Sequence, residues 1–318
     1  MSYEPVRNDR GVSRPRRQLP RRRRTRVLLL VLAAVLIGGV AGLGAIATNT
    51  LGAGKLYERL VAKIELFIDP PPDRPTLATV TVTPKPSPSP TPTLPPPASG
   101  QPAVTPAPTP TPVPRVPVDV RIVANPKSVF IHELKVVWCA PAGVSIVLAI
   151  LGHGDATDAR ETEIAGRIRE WDSYADSHDG AWGPAAMALA LNAYGAKGYQ
   201  IRAYDTRADA LRDSAKALSL THSPVILLAW HGAHTWVMSG YRADADPTVF
   251  DDARVSGTYI LDPWYPSFSS IWGQSDPPGT FQNASEMVRN YLPWKRPEGH
   301  YPDRDGKFIV VIPTIPVG

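Results

Sequence analysis

The sequence predicts an α+β domain at 118–318, preceded by segments that are not globular. Two observations favour this fold class. Helical patterns come first in the domain and strand patterns follow, an order typical of helices packed on an antiparallel sheet. Composition also separates the domain from an Arg-rich tail, an apolar run and a Pro-rich stretch that precede it. The remaining length, about 200 residues, is enough for one sizeable core.

The basic charge of the chain belongs to its first segment. Residues 1–26 hold ten Arg and two acidic residues, a net charge of +8. The whole chain carries +5, so the residues after 26 sum to −3. A nucleic-acid-binding domain concentrates basic residues in its folded part. The charge pattern therefore predicts no nucleic-acid partner.

An uncharged, mostly aliphatic run occupies 27–47. About 20 apolar residues match the hydrocarbon thickness of a bilayer, and the Arg cluster at 21–24 predicts a cytoplasmic N-terminus. We expect one transmembrane helix at 27–49, with tail 1–26 in the cytoplasm and the domain outside the cell. A cleaved signal peptide is the alternative, because 45–47 resembles a cleavage site; the length of the run favours an anchor.

The juxtamembrane segment 50–69 is predicted to contain a short amphipathic helix. Leu56, Leu60, Ile64 and Phe67 recur at helical spacing. Such a helix would lie on the membrane surface, pair with a copy of itself or extend the anchor. A frayed helical stub is the alternative, since short isolated helices are marginal in water.

Residues 70–117 are predicted to be a disordered linker. The segment holds 19 of the 36 prolines of the chain. Such a composition cannot form a core and favours polyproline II at about 3.1 Å per residue, so the extended segment would reach on the order of 150 Å. A spacer of this length would place the domain away from the membrane, within or across a cell-wall layer.

Within the domain we predict helices first and strands later. The first predicted helix begins at Cys139, and the predicted helices span 139–152, 161–174, 183–194 and 207–220. The predicted strands span 225–230, 235–241, 258–261 and 308–312.

The single cysteine, Cys139, stands where an apolar helix begins. The thiolate is the reactive form of cysteine, and a helix N-terminus or a neighbouring imidazolium lowers the thiol pKa from about 8.5. Downstream, His234 opens one strand pattern and Asp262 closes another. In this order the three predict a nucleophile, a general base and acid, and a carboxylate that orients the imidazole.

The alternative is that these residues are structural. A lone Cys is commonly a small buried apolar residue, and the Asp-Pro pair at 262–263 is an ordinary exit from a strand. An exported protein, however, gains nothing from an unpaired structural thiol that oxidation endangers. We predict no metal site and no cofactor, because His231 and His234 would face opposite sides of a strand and no Gly-rich phosphate loop is present. We expect His231 in a turn or at a groove rim.

Five pieces of the sequence occur in the order typical of one family. They are Cys139-Ala140-Pro141-Ala142 and Gly183-Pro184-Ala185-Ala186 at two helix starts, Ser223-Pro224-Val225-Ile226 before a strand, His234 to Gly240-Tyr241, and Asp262-Pro263. With them, residues 128–262 resemble the papain-like cysteine peptidases, in the branch related to the peptidases that process double-glycine bacteriocin leaders. The resemblance implies a papain-like fold, a peptide or peptide-like amide as substrate, and a catalytic triad of Cys, His and Asp.

Two positions depart from the family pattern. Ala140 replaces the Gly that usually follows the nucleophile. The family also carries a Gln six residues before the Cys, whose amide donates to the oxyanion, whereas this chain has Glu133. An ionised carboxylate accepts hydrogen bonds and donates none, but a buried one stays protonated and can donate. Two alternatives to a peptidase remain open: an inactive papain-like domain that binds peptide or cell-wall material, and an acyltransferase or cell-wall amidase with the same triad.

Overall fold

The computed structural model describes part of the chain, in two compact units. The described residues are 53–83, 113–177, 182–296 and 298–316, with Gly39, Gly42 and Gly44. The compact units are residues 1–57 and 58–318, and the second contains the whole predicted domain.

The predicted tail 1–26 lies outside the described residues. So does the predicted transmembrane helix at 27–49, apart from its three described glycines, which are helical. Within the described ranges, no helix has both the length and the apolar character needed to cross a bilayer. The membrane anchor therefore stays a prediction.

The described residues form both helices and strands. The helices are α1 Ala53–Ile68, α2 Cys139–Ile150, α3 Asp158–Gly166, α4 Pro184–Ala193, α5 Arg207–Thr221 and α6 Ala284–Asn290. The strands are β1 Thr79–Val82, β2 Val118–Arg121, β3 Tyr199–Tyr204, β4 Val225–Ala229, β5 His234–Ala243, β6 Val255–Leu261, β7 Phe268–Ser269, β8 Gly273–Gln274, β9 Thr280–Asn283 and β10 Phe308–Pro313.

Eight of these strands make one sheet. Their order is β1-β3-β10-β4-β5-β6-β9, and β2 pairs with β5 outside this path. β1 runs parallel to β3, whereas the other pairings in the sheet are antiparallel. β7 and β8 form a separate two-stranded ribbon. A mainly antiparallel sheet covered by helices confirms the α+β class.

The sheet separates two hydrophobic cores, because alternate side chains of a strand point to opposite faces. On β10, Ile309 and Val311 belong to one core, while Val310 and Ile312 belong to the other. The first core also contains buried residues of α2, α3 and α4, and the second contains those of α5 and α6. Both faces of the central strands are therefore covered.

Helix α2 lies unusually close to β5. A Cβ added at Gly143 would stand 2.5 Å from Cγ2 of Thr235, so a side chain at this position would push the helix off the strand. Glycine allows this close approach of backbone. The first turn of α2 consequently lies beside the start of β5, where His234 is located.

Most of the predicted helices and strands are present. The starts of α2 and α5 coincide with the prediction, and α4 differs from it by one residue at each end. The amphipathic helix predicted within 50–69 is α1, and its apolar residues Leu56, Leu60, Ile64 and Phe67 are exposed. The four predicted strands correspond to β4, β5, β6 and β10.

The predicted helix 161–174 is wrong at both ends. Helix α3 begins three residues earlier, because Thr157 caps it by accepting a hydrogen bond from the Arg160 backbone N–H at 3.2 Å. It ends at Gly166, a poor helix former. The following residues form a short 3₁₀ turn instead of a continued helix.

The predicted disordered linker 70–117 begins too early. Thr79–Val82 is the edge strand β1, paired with residues 201–204 of β3. Its Thr-Val-Thr-Val sequence is β-branched throughout, and an edge strand tolerates nearby prolines. Upstream, Arg74 donates from Nε to the Asp172 carbonyl at 2.8 Å. Residues 70–83 therefore belong to the domain, while 84–112 lie outside the described residues.

Candidate active site

Cys139, His234 and Asp262 lie together, at the ends of three elements. Cys139 is the first residue of α2, His234 is the first of β5, and Asp262 directly follows β6. His234 Nε2 lies 2.6 Å from Asp262 Oδ1, which leaves Nδ1 to face the thiol. The Cys139 sulfur and a ring nitrogen of His234 lie within 4.8 Å of each other. The structure therefore brings together the three residues that the sequence predicts.

The electrostatics of these three side chains favour a thiolate at Cys139 beside an imidazolium at His234. Burial raises the pKa of the Cys139 thiol, but the hydrogen bond and charge of His234 and hydrogen bonds with Thr235 outweigh it and lower the pKa overall. Burial likewise lowers the pKa of His234, but the charge and hydrogen bond of Asp262 raise it well above its usual value. A lowered thiol pKa is what a nucleophilic cysteine requires.

The N-terminus of α2 adds to this effect. Its N-cap residue, Trp138, makes no side-chain capping hydrogen bond. The first N–H groups of a helix carry partial positive charge and have no partner within the helix. At α2 these groups lie next to Cys139, so they favour a negative charge on its sulfur.

Aromatic rings fix the imidazole. The His234 ring stacks on Trp230 with centroids 4.1 Å apart, and Trp230 in turn stacks on Trp272 at 5.6 Å. Trp230 and His231 have positive φ angles of 52° and 61°, a costly backbone conformation for bulky residues that clusters at functional sites. As predicted, His231 lies in a turn, where its Nδ1 donates to the Pro293 carbonyl at 2.7 Å.

Glu133 reaches the same site because the loop before α2 is joined to the segment after β6. Its backbone N–H donates to the Pro263 carbonyl at 2.9 Å. His132 Nδ1 donates to the carbonyls of Pro263 and Tyr265 at 3.1 and 2.9 Å. The Glu133 side chain is buried, and neither of its carboxyl oxygens has a hydrogen-bond partner.

The environment of Glu133 favours its neutral form. Burial raises the pKa of Glu133 well above its usual value, Cys139 raises it further, and His234 partly opposes the shift. The shift favours the protonated carboxyl group, which can donate one hydrogen bond. Of the two alternatives for this residue, the structure favours the protonated one.

A further buried carboxyl group near the site, Glu161 on α3, is not among the residues that the sequence predicts. Its Oε1 accepts a hydrogen bond from the Leu134 backbone N–H at 2.9 Å, directly after Glu133. Burial raises the pKa of Glu161 to about 7. No sequence signal identifies it, because an acidic residue in the first turn of a helix is ordinarily a surface residue that complements the helix dipole.

The sequence predicts no metal site, yet possible ligands converge here. One carboxyl oxygen of Glu133, Cys139 Sγ and a ring nitrogen of His234 all lie within 4.8 Å of one another. Carboxylate, thiolate and imidazole are all ligands of zinc in proteins. The prediction of no metal site rests on the spacing of the two histidines and does not take into account groups that come together from different elements.

Comparison with known proteins gives one match. No protein-family profile matches the chain, and no curated protein sequence matches it. Among solved structures, the crystal structure of a double glycine motif protease from an AMS/PCAT transporter, in complex with the leader peptide, aligns with 58% of this chain and 91% of that chain. The sequence identity is 15% and the TM-score is 0.29. A likeness at this level carries no argument, so the function is inferred from the geometry of the site.

Proposed function

We propose that the domain is a papain-like cysteine peptidase or related amide hydrolase. Its nucleophile is Cys139, its general base and acid is His234, and Asp262 orients the imidazole. The observation that carries the proposal is the convergence of these three residues. His234 and Asp262 share a 2.6 Å hydrogen bond, and the Cys139 sulfur lies within 4.8 Å of a ring nitrogen of His234. The substrate is a peptide or a peptide-like amide.

The reaction follows from the charge distribution. The Cys139 thiolate attacks the amide carbonyl carbon, and the His234 imidazolium donates its proton to the departing amine. The acyl group is then held as a thioester. Neutral His234 removes a proton from a water molecule, the resulting hydroxide attacks the thioester, and the thiolate leaves. Asp262 keeps the imidazole in the required tautomer and stabilises its charged form.

The oxyanion needs donors that are in place before the reaction. The Cys139 backbone N–H at the start of α2 is one. Protonated Glu133 is the other, in the place of the Gln amide that the resemblance implies. Support for this role comes from its burial and from its carboxyl oxygens, which have no other hydrogen-bond partner.

We also propose that the protein is a single-pass membrane protein with an extracytoplasmic catalytic domain. The support is the apolar run at 27–47 and the Arg cluster at 21–24. Protease added to intact cells should remove the domain and spare the tail. A mature protein that starts near residue 48 would mean a cleaved signal peptide instead of an anchor.

Thiol labelling tests the chemistry directly, since the chain has one cysteine. Iodoacetamide and a thiol-directed peptide probe should label the wild-type protein below pH 7. His234→Ala should reduce the labelling rate, and Cys139→Ser should abolish labelling. A labelling midpoint near pH 8.5 would show an unperturbed thiol and contradict the proposal. Efficient labelling without turnover of a peptide library would favour the inactive binding domain.

A further inference from the structure

We propose that Glu133, Cys139 and His234 form a zinc-binding site that reversibly blocks the nucleophile. The three residues come from a loop, a helix start and a strand start, and their ligand atoms lie within 4.8 Å of one another. A tetrahedral zinc site with bonds of about 2.0 to 2.3 Å places its ligand atoms about 3.3 to 3.8 Å apart. Side-chain movements on the order of 1 Å would therefore close the site around the metal ion.

The ligand set fits zinc better than a hard cation. Thiolate and imidazole are the ligands that Zn²⁺ prefers, whereas Mg²⁺ and Ca²⁺ require a shell of oxygen atoms. Three protein ligands with an open fourth position are typical of accessible zinc sites. Cys139 is partly exposed, unlike buried Glu133 and His234, so a water molecule can complete the tetrahedron from its side.

The surroundings of the ligands are already arranged for a metal ion. Ligating histidines commonly donate their second ring nitrogen to a carboxylate, which fixes the ring and makes it a better ligand. Asp262 holds His234 Nε2 at 2.6 Å, which leaves Nδ1 for the metal. The carboxylate of Asp262 would also compensate part of the charge of a dication.

Glu133 provides an independent observation. Two buried carboxyl oxygens without a hydrogen-bond partner are rare in folded proteins and call for an explanation. Glu133 is 3% exposed and lies beside a thiol and an imidazole. Its carboxyl group would gain a strong partner from a metal ion. Glutamine, which the family resemblance leads one to expect here, is a much weaker ligand. The departure at Glu133 therefore distinguishes this chain.

Metal binding would stop catalysis for a simple reason. Coordination commits the sulfur lone pair of Cys139 and the Nδ1 atom of His234, and the displaced protons pass to the solvent. This consequence rests on the proposed hydrolase function. The binding itself does not, because it depends on the three side chains alone.

The test uses the full chain, purified without a His tag and stripped of metal by a chelator. Zn²⁺ alone is titrated by calorimetry, and Co²⁺ alone is followed by absorption. We expect one bound metal ion per chain, with a thiolate-to-cobalt charge-transfer band and intense tetrahedral visible bands. Cys139→Ser should remove the charge-transfer band. Glu133→Gln should weaken Zn²⁺ binding at least tenfold, because even the loss of a residue behind a ligand costs about 10 to 100-fold.

Glu161→Gln is the matched control, since it makes the same substitution in a second buried carboxyl group that is not a ligand. Its dissociation constant for Zn²⁺ should stay within about threefold of the wild-type value. This change is clearly smaller than the tenfold or larger weakening expected for Glu133→Gln. Equal binding by Glu133→Gln and wild type would overturn the proposal. If Glu133→Gln does not fold, a wild-type Co²⁺ spectrum without a charge-transfer band would overturn it equally.

Activity distinguishes the two proposals. Turnover that Zn²⁺ suppresses and a chelator restores would support both. Metal binding in a chain without hydrolase activity would leave the zinc site standing and would contradict the proposed function. Turnover unaffected by saturating Zn²⁺ would overturn the inhibitory site.

Discussion

Two helices of the first core begin alike but use their N-termini differently. Helix α2 opens with Cys-Ala-Pro-Ala, and α4 follows Gly183 with Pro-Ala-Ala. At α4 the carboxylate of Asp176 accepts hydrogen bonds from the Ala185 and Ala186 N–H groups at 3.0 and 2.9 Å. At α2 no side chain caps the helix, and the thiol of Cys139 lies at that place.

The countercharges explain the different roles. Asp176 is paired with buried Arg304, whose Nη2 donates to its Oδ1 at 2.9 Å. Arginine does not lose its proton in proteins, so that pair is fixed. Cys139 is paired with His234, which can give up a proton and take it back. The N-terminus of each helix favours an anion at this place, and under the proposed function the titratable partner is what makes Cys139 reactive.

The largest effect on stability should come from Asp176→Asn. The amide nitrogen of Asn cannot accept a hydrogen bond from a backbone N–H, and Arg304, which is 3% exposed, would lose its anionic partner. Breaking a buried ion pair in this way costs about 3–5 kcal/mol. Urea unfolding of the variant and of wild type measures the difference.

Cys139→Ala provides the contrast at the other helix. It should change the free energy of unfolding by less than about 1 kcal/mol, because no buried network loses a fixed charge, and yet it should abolish turnover. A loss of stability as large as that of Asp176→Asn would mean that Cys139 is a structural cap, and the comparison would fail.

The next effect concerns Glu133→Gln and the pH profile of hydrolysis, measured with a chelator present. Burial raises the pKa of Glu133, so the protonated donor is present below that pKa and is lost as pH rises through it. Wild-type kcat should fall over that range. Glutamine does not titrate, so the variant should keep its activity. At pH values above the pKa of Glu133, kcat of the variant should exceed kcat of wild type. The ratio should approach roughly 10² to 10³, the usual effect of one oxyanion donor.

Glu161→Gln separates the two carboxyl groups in this experiment. The pKa of Glu161 is raised to about 7, so this carboxyl group also titrates within the measured pH profile. We expect the fall of activity to persist in Glu161→Gln, because Glu161 contacts the loop and not the reacting atoms. If the fall disappears there and remains in Glu133→Gln, then Glu133 does not face the oxyanion.

Sequence reasoning succeeded where local signals and chemistry agree. Helix α5 is bounded by a Thr cap and a regular apolar pattern, and its start was predicted to the residue. Cys139, His234 and Asp262 could be singled out because each lies at the edge of a recognisable element. Predicting that the three residues lie close together required the order of sequence motifs typical of a family. Nothing in the sequence near Cys139 indicates which strand it will face.

The rest depended on tertiary structure. Strand β1 lies among prolines that indicate a linker, and its pairing with β3 comes from a distant part of the chain. The sequence patterns also failed to predict β2, β3, β9 and α6, although β3 alternates apolar and polar residues. The burial of Glu133 and Glu161 could not be predicted at all, because it results from the loop and α3 packing together.

The smallest effect we predict is at a third kind of helix start, the exposed cap of α5. Thr206 accepts a hydrogen bond from the Asp209 N–H at 3.1 Å, and it has no buried countercharge. Thr206→Ala should therefore cost about 1 kcal/mol, the usual value of an N-cap, and Thr157→Ala at the start of α3 should cost about the same. Neither substitution should change the rate at which Cys139 is labelled, since both caps lie on the surface. A slower rate would mean that the reactivity of Cys139 at the start of α2 depends on the stability of neighbouring helices. Urea unfolding and iodoacetamide labelling of the same samples measure both quantities. A cost equal to that of Asp176→Asn would show that the hydrogen bonds to the helix, and not the buried pairing with Arg304, account for the stability of a capped N-terminus.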